Sequence, residues 1–362
     1  MIDRRLFENI DWFLIVLLVF ISLIGVLVIY SSSHYLPGRY YLKQLFFIAG
    51  SLVVLFLFLT IDYKILLTYS FYFYGFMAMV LIGMLFFNQF IAKESWIKLR
   101  YFQVQPSELA KIAIILVLAQ LFSEYKKNHV SRSAVLASSG LVAILFILVA
   151  LQPDLGTAVS FLPILLGSLI LAGLKRKALV WILILSVFVG VAGWNFSLKD
   201  YQKKRLTTVV FPGKDLRGSG YHIHQSKIAI GSGGFFGKGF KKGTQSQLKF
   251  LPARHTDFVF SVVGEEFGFL GVAAILFLYY LFILRLFRSA AKSRDRSGVY
   301  IIFMVSLMFA FQVLVNVAMV IGLFPIVGIP LPLLSYGGSS LLTNFLGASL
   351  VLNVKMRRFV NI

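Results

Sequence analysis

The chain has 362 residues, of which 59% are hydrophobic and 14% charged, and its mean hydropathy is +0.87. A water-soluble domain is about 45–50% apolar, so this chain carries more apolar surface than one aqueous core hides, and a soluble globular protein is excluded. The absence of cysteine excludes disulfides, thiolate metal sites and cysteine nucleophiles, and the five histidines show no zinc spacing.

A membrane-crossing helix needs roughly 20 apolar residues. Runs of about that length predict an all-α polytopic membrane protein with ten transmembrane helices, at 12–30, 44–60, 68–88, 107–123, 134–151, 157–174, 178–195, 258–284, 299–322 and 338–354. Arg4 and Arg5 ahead of the first run imitate a signal peptide, but the run is long and Tyr30-Ser31-Ser32-Ser33-His34 offers no small-x-small cleavage site. An uncleaved first helix is expected, within a single domain over 1–362. The only long connection, 196–257, follows the seventh helix.

The net charge of +21 raises the question of nucleic acid, which its distribution answers against. The short loops on the side of the two termini hold 17 Lys and Arg, and those opposite hold 5. The positive-inside rule makes the termini cytoplasmic; the multi-pass chain is expected in the cytoplasmic (inner) membrane. The long loop then lies outside with 12 more basic residues, Arg205 among them. Its charge suits either anionic lipid headgroups or an anionic ligand such as a phosphate.

Candidate chemistry follows in chain order. Glu108 and Lys111 are three apart on the fourth helix, so they share a face. They form either a structural ion pair or a functional site, the default for ionisable groups within spans. Asp154 follows Gln152-Pro153 at the end of the fifth helix. The stretch Gly231 to Gly239 fails the P-loop pattern, because Ser232 stands for the first glycine and Gly239 for the final Ser/Thr. It is either a flexible loop on the membrane surface or a backbone cradle for an anion. Asp257 directly precedes the eighth helix. It is either an N-cap or, partly desolvated, a general base. Glu265 and Glu266 follow in the first turns of that helix. Gly322 to Ser340 carries no charge and holds Pro325, Pro330 and Pro332, which prevent a regular helix and predict a re-entrant or cavity-lining segment.

Six segments in order resemble the SEDS family (shape, elongation, division and sporulation; RodA and FtsW are members): QPSELAK at 105–111, QPDLGTA at 152–158, YQKKRL at 201–206, GSGYHIHQSKIAIGSGGFFGKG at 218–239, LPARHTDFVFSVVGEEFGFLG at 251–271 and GIPLPLLSYGGSS at 328–340. The compact ends and HTDF, where the division branch usually has HSDF, look more like the elongation branch. The resemblance implies a peptidoglycan glycosyltransferase that polymerises lipid II by inverting transfer, releasing undecaprenyl diphosphate, in cell-wall elongation and cell shape. It makes Asp257 the catalytic base and Arg205 and Lys111 candidates near the diphosphate, and it matches Trp96, Glu108 and Asp154 to further family positions in substrate binding. It implies a class B penicillin-binding protein as partner, with other membrane proteins of the elongation complex, and no nucleic acid. Ala253 stands where the family commonly has Glu. No metal site is therefore assigned, although a divalent cation such as Mg2+ would suit a diphosphate leaving group. The competing expectations are a lipid II flippase and a non-catalytic scaffold.

Overall fold

The computed structural model describes residues 8–34, 36, 38–88, 95–98, 103–123, 130–175, 218–248, 250–251 and 253–359, together with positions 177, 203, 205, 207 and 208. In chain order the elements are α1 (Trp12–Ser33), α2 (Tyr40–Thr60), α3 (Tyr63–Thr68), α4 (Ser70–Asn88), β1 (Ile97–Lys98), β2 (Gln103–Val104), α5 (Pro106–Ser123), α6 (Arg132–Leu151), α7 (Leu155–Val159), α8 (Phe161–Leu171), α9 (Ser219–Gly233), α10 (Thr244–Gln247), α11 (Val259–Ala291), α12 (Arg296–Val320) and α13 (Gly338–Met356). Among the described residues six helices are long and apolar enough to cross a membrane, and the runs Ser70–Phe86 and Leu155–Leu171 are shorter apolar helices. Nine of the ten expected spans have a helical counterpart, the sixth being broken between α7 and α8 at Ser160. The expected span 178–195 lies outside the described residues.

Burial orders the bundle. Residues Ala110 to Ala119 of α5 are buried on every side, as expected of a stretch that is apolar all round but for Lys111. It is the central pillar, packed by α4, α8, α12 and α13. Phe46, Tyr72 and Leu136 instead project outward from α2, α4 and α6, where lipid takes the place of core. Between helices in lipid the hydrophobic effect contributes little, so close packing and buried polar contacts must hold them.

At the end carrying the termini, Asp11 caps α1 through Leu14 N–H and accepts Arg285 Nε at 2.8 Å, Arg285 Nη2 at 3.0 Å and Lys355 Nζ. This ties α1, α11 and α13 together. Burial raises the Asp11 carboxyl, but bonds from Arg285 and Lys355 outweigh it and hold the group below the usual carboxylate range. Nearby, Asn353 Nδ2 donates to the Phe58 and Ile61 carbonyls, each at 2.7 Å, which satisfies the end of α2.

The glycine-rich stretch is not a loose surface loop. α9 lies along the start of α11, with Ser226 Oγ 2.8 Å from Ser261 Oγ. A Cβ on Gly233 would lie 1.9 Å from the Gly264 carbonyl, and one on Gly237 would lie 2.2 Å from that of Glu266. The backbones touch, and only glycine permits it. α11 kinks at Gly268 (φ +63°), where Phe269 and Leu270 donate to the carbonyls of Gly234 and Phe235. Glu265, fully buried, clamps the return of the chain: it accepts Lys238 Nζ at 2.8 Å and the amides of Gln245 and Ser246 at 2.8 and 3.1 Å.

Candidate active site

The segment between α12 and α13 is irregular, as its three prolines require. Ile326, Ile329, Leu331, Leu333 and Leu334 in it are buried. Two neighbours fit it without side chains: a Cβ on Gly25 of α1 would lie 2.5 Å from the Leu334 carbonyl, and one on Gly156 of α7 would lie 2.2 Å from that of Val327. Irregular backbone at this depth is stable because protein encloses it.

Asp257 sits against this segment. The carboxyl does not cap α11, whose N-cap is Phe258 with no side-chain cap bond. A Cβ on Gly328 would lie 3.8 Å from Asp257 Oδ2, so the carboxyl lies beside a position held at φ +75°. Asn316 of α12 pins both backbones: its Nδ2 donates to the Asp257 carbonyl at 3.0 Å and to that of Ile329 at 2.8 Å. Ser335 Oγ donates to the Thr256 carbonyl at 2.6 Å, and Tyr336 N–H to that of His255 at 2.9 Å. Gln44 of α2 donates to the Ser335 carbonyl at 3.1 Å. Residues 255–257 are thus held by α12 and by the irregular segment, which α2 braces through Gln44.

Asp257 is half-buried, yet protein surrounds its carboxyl. Burial pushes it up to about 6, against the pull of the Arg205 charge. Arg205 donates from Nη1 to the Ile326 carbonyl at 3.2 Å, three residues from the point where Asn316 grips. Beside the acid, the Tyr40 and His255 rings stack at 4.6 Å and Tyr336 meets Tyr40 edge-on at 5.1 Å. Burial, and secondarily Arg254, lowers the His255 imidazole, so it is neutral at pH 7.

The structure brings Asp257 and Arg205 together, while Asp154, Glu108 with Lys111, and Trp96 are carried by other elements. Asp154 caps α7 through Thr157 N–H at 3.1 Å and accepts Gln105 Nε2 at 2.6 Å and Ser107 Oγ at 3.2 Å. It therefore fixes α7, whose Gly156 backs the proline segment. Glu108 and Lys111 form a buried ion pair at 2.7 Å on α5, 3% and 1% exposed. Trp96 is exposed at the start of β1, in a two-strand hairpin docked on α13 through Ser339 Oγ, which donates to the Gln103 carbonyl at 3.1 Å. Behind that hairpin an apolar cavity of about 290 Å³ opens among Phe46, Phe47, Val54, Val104, Leu109 and Leu342. Among the described residues no three His, Asp or Glu side chains gather as metal ligands. Asp257 with Ala253 is not a donor set for a divalent ion.

Sequence reasoning missed Asn316, Ser335, Gln44 and Tyr40. Asn316 did leave a signal, since Gln312 and Asn316 are polar residues four apart in an otherwise apolar span.

Fold and site define a polytopic membrane protein with a raised carboxyl, Asp257, at the end of the bundle opposite the termini. Residues 11–359 match the cell cycle protein family of FtsW, RodA and SpoVE, and the chain belongs to that family. It is 41% identical over 270 residues to the peptidoglycan glycosyltransferase MrdB of Escherichia coli K12, covering 73% of this chain and 71% of that one. It is 32% identical to the peptidoglycan glycosyltransferase RodA of Treponema pallidum, over 97% of this chain and 98% of that one. Among solved structures it is similar to a chain from a peptidoglycan synthase complex described as coordinating polymerization and crosslinking (TM-score 0.83, 32% identity, 97% and 98% of the two chains). It is also similar to the rod shape determining protein RodA of Thermus thermophilus (TM-score 0.72, 29% identity, 97% and 98%).

Proposed function

We propose that this chain is a peptidoglycan glycosyltransferase that polymerises lipid II, with Asp257 as general base. The observation that carries the reading is the Asp257 carboxyl itself: buried, raised to about 6, held through its backbone by Asn316 and left without a capping duty. A base poised near the working pH is the most effective. Asp257 takes the proton of the acceptor 4-hydroxyl as its oxygen bonds to the donor anomeric carbon. The bond from that carbon to the diphosphate breaks, and undecaprenyl diphosphate leaves. The donor is α-linked and the product β-linked, so one inverting displacement suffices. Arg205 supplies positive charge to the leaving group. The apolar cavity beside α2 and α13 suits an isoprenoid chain. Asp154, Trp96, Glu108 and Lys111 support the substrate site from the elements around it.

The relative's complex of polymerization and crosslinking supports a class B penicillin-binding protein as partner, among other elongation-complex membrane proteins. The charge asymmetry of the loops supports the inner membrane with cytoplasmic termini. The test is polymerisation of lipid II by the purified chain with that partner. The native chain should make glycan, and Asp257→Ala should make none. Normal polymer from the variant removes the base assignment; lipid translocation without polymer by both proteins turns the reading to a flippase.

A further inference from the structure

A buried polar layer crosses the bundle where α5, α12 and α13 meet. It holds Glu108 and Lys111, Gln312 and Asn316, and Thr343 and Asn344, none more than 3% exposed. Three contacts fix the register of these helices. The Phe122 and Tyr300 rings stack at 5.6 Å. A Cβ on Gly347 would lie 3.3 Å from Met308 Cε. Gln105 N–H donates to Ser339 Oγ at 2.9 Å. All α-helices rise alike, about 1.5 Å per residue. Counting back from Phe122 and on from Tyr300 therefore brings Lys111 level with position 311. Counting back from Gly347 and on from Met308 brings Asn344 level with the same position. Counting on from Gln105 and Ser339 brings Glu108 level with position 342.

Among the described residues, six side-chain atoms of this layer have no hydrogen-bond partner: Glu108 Oε2, Gln312 Oε1, Asn316 Oδ1, Thr343 Oγ1, and Asn344 Oδ1 and Nδ2. Lys111 has three N–H groups, of which the bond to Glu108 Oε1 at 2.7 Å uses one. Buried polar groups are normally satisfied, and unsatisfied ones cost stability. What completes these must be small, and must both donate to oxygens and accept from nitrogens. The Lys111 charge disfavours a further cation. The Glu108 carboxylate and the surrounding oxygens disfavour an anion. Water meets every requirement, given two to four polar partners.

We propose that this layer is a binding site for a cluster of buried water molecules that bridges α5, α12 and α13. Asn316 belongs both to the layer, through Oδ1, and to the grip on the Asp257 carbonyl, through Nδ2. The water cluster thus links the Glu108–Lys111 pair to the backbone of Asp257, and Gln312 and Thr343 are positioning residues.

The test uses the full chain in lipid nanodiscs. Thr343→Val is isosteric and removes only the hydroxyl. It lowers Tm by about 2 °C if water bridges that oxygen, and Thr343→Ser restores it. Gln312→Met acts likewise, and the double variant departs from additivity because the two sites share waters. An unchanged or raised Tm for Thr343→Val, or strict additivity, overturns the proposal. A high-resolution cryo-EM map should show discrete water peaks within hydrogen-bond distance of Thr343, Asn344 and Gln312. A dry layer, or a single cation peak, overturns it as well. One further arm rests on the proposed polymerase activity: Thr343→Val should lower kcat several-fold with KM for lipid II unchanged. An inactive native chain would defeat that activity and leave the Tm and density results standing.

Discussion

The two ends of the bundle treat an aspartate in opposite ways. Asp11 and Asp257 each sit at the mouth of a long helix, and burial raises both carboxyls. Asp11 caps its helix and receives Arg285 and Lys355, so its carboxyl ends below the ordinary range. Asp257 caps nothing, meets one cation in Arg205, and ends at about 6. The difference teaches where stability and chemistry part. A fully paired acid ties helices together and is inert, whereas an under-paired acid is costly to hold and ready to take a proton.

The strongest way to break the comparison is to exchange carboxyls for neutral groups at both ends. Asp257→Asn should lower polymerisation by about 10²–10⁴-fold with the fold intact, measured as glycan formed per folded molecule. Asp11→Asn should leave that quantity unchanged. Equal losses at both sites would erase the distinction.

Arg205→Gln comes next. It removes charge from the leaving-group side, for a loss of about 10²-fold. It also frees Asp257 to rise further. The base works when ionised, so kcat/KM in the native chain should climb with pH through about 6. In the variant that limb should move to higher pH; an unmoved limb separates Arg205 from Asp257.

Gly156→Ala tests the support beneath the site. The new methyl would meet the Val327 carbonyl at 2.2 Å, so the proline segment must shift, at about 1–3 kcal/mol of overpacking. Turnover should fall about tenfold while lipid II binding persists.

The smallest effects are on stability, and their signs differ between the ends. Asp11 is depressed in the folded state, so its contribution is present above the unfolded value near 3.8 and is lost as pH falls below it. Asp11→Asn should lower Tm at pH 7.5, by about 1–3 kcal/mol equivalent, since Arg285 is partly solvated. Asp257 is raised, so ionising it costs stability progressively from pH 3.8 to about 6 and fully above. Asp257→Asn should therefore raise Tm at pH 7.5, and by less as pH approaches 4.

Much of this was legible in the chain itself. Hydropathy located nine runs that are helical among the described residues, six of them long and apolar enough to cross a membrane, because a helix in lipid must satisfy its backbone internally and so announces itself as an apolar run. The prolines between Gly322 and Ser340 announced an irregular enclosed segment for the same reason. Asp257 can be singled out as the last acid of a basic loop, but local grounds alone favour the cap over the base. Capping depends on where α11 begins, and Phe258 takes that position only when the chain is folded.

Other features belonged to tertiary structure alone. The glycines of 231–239 look like a mobile loop or an anion cradle in sequence, and became contact points because α9 runs against α11. Asn316 grips Asp257 from 59 residues away, and Gln44 reaches Ser335 across 291. Sequence determined that the chain lives in the membrane and which acids it carries, since burial in lipid is a property of each run of residues. Only the packed chain decided that Asp11 is held ionised by two cations and Asp257 is not, because the partners that set a carboxyl's proton affinity come from distant parts of the sequence.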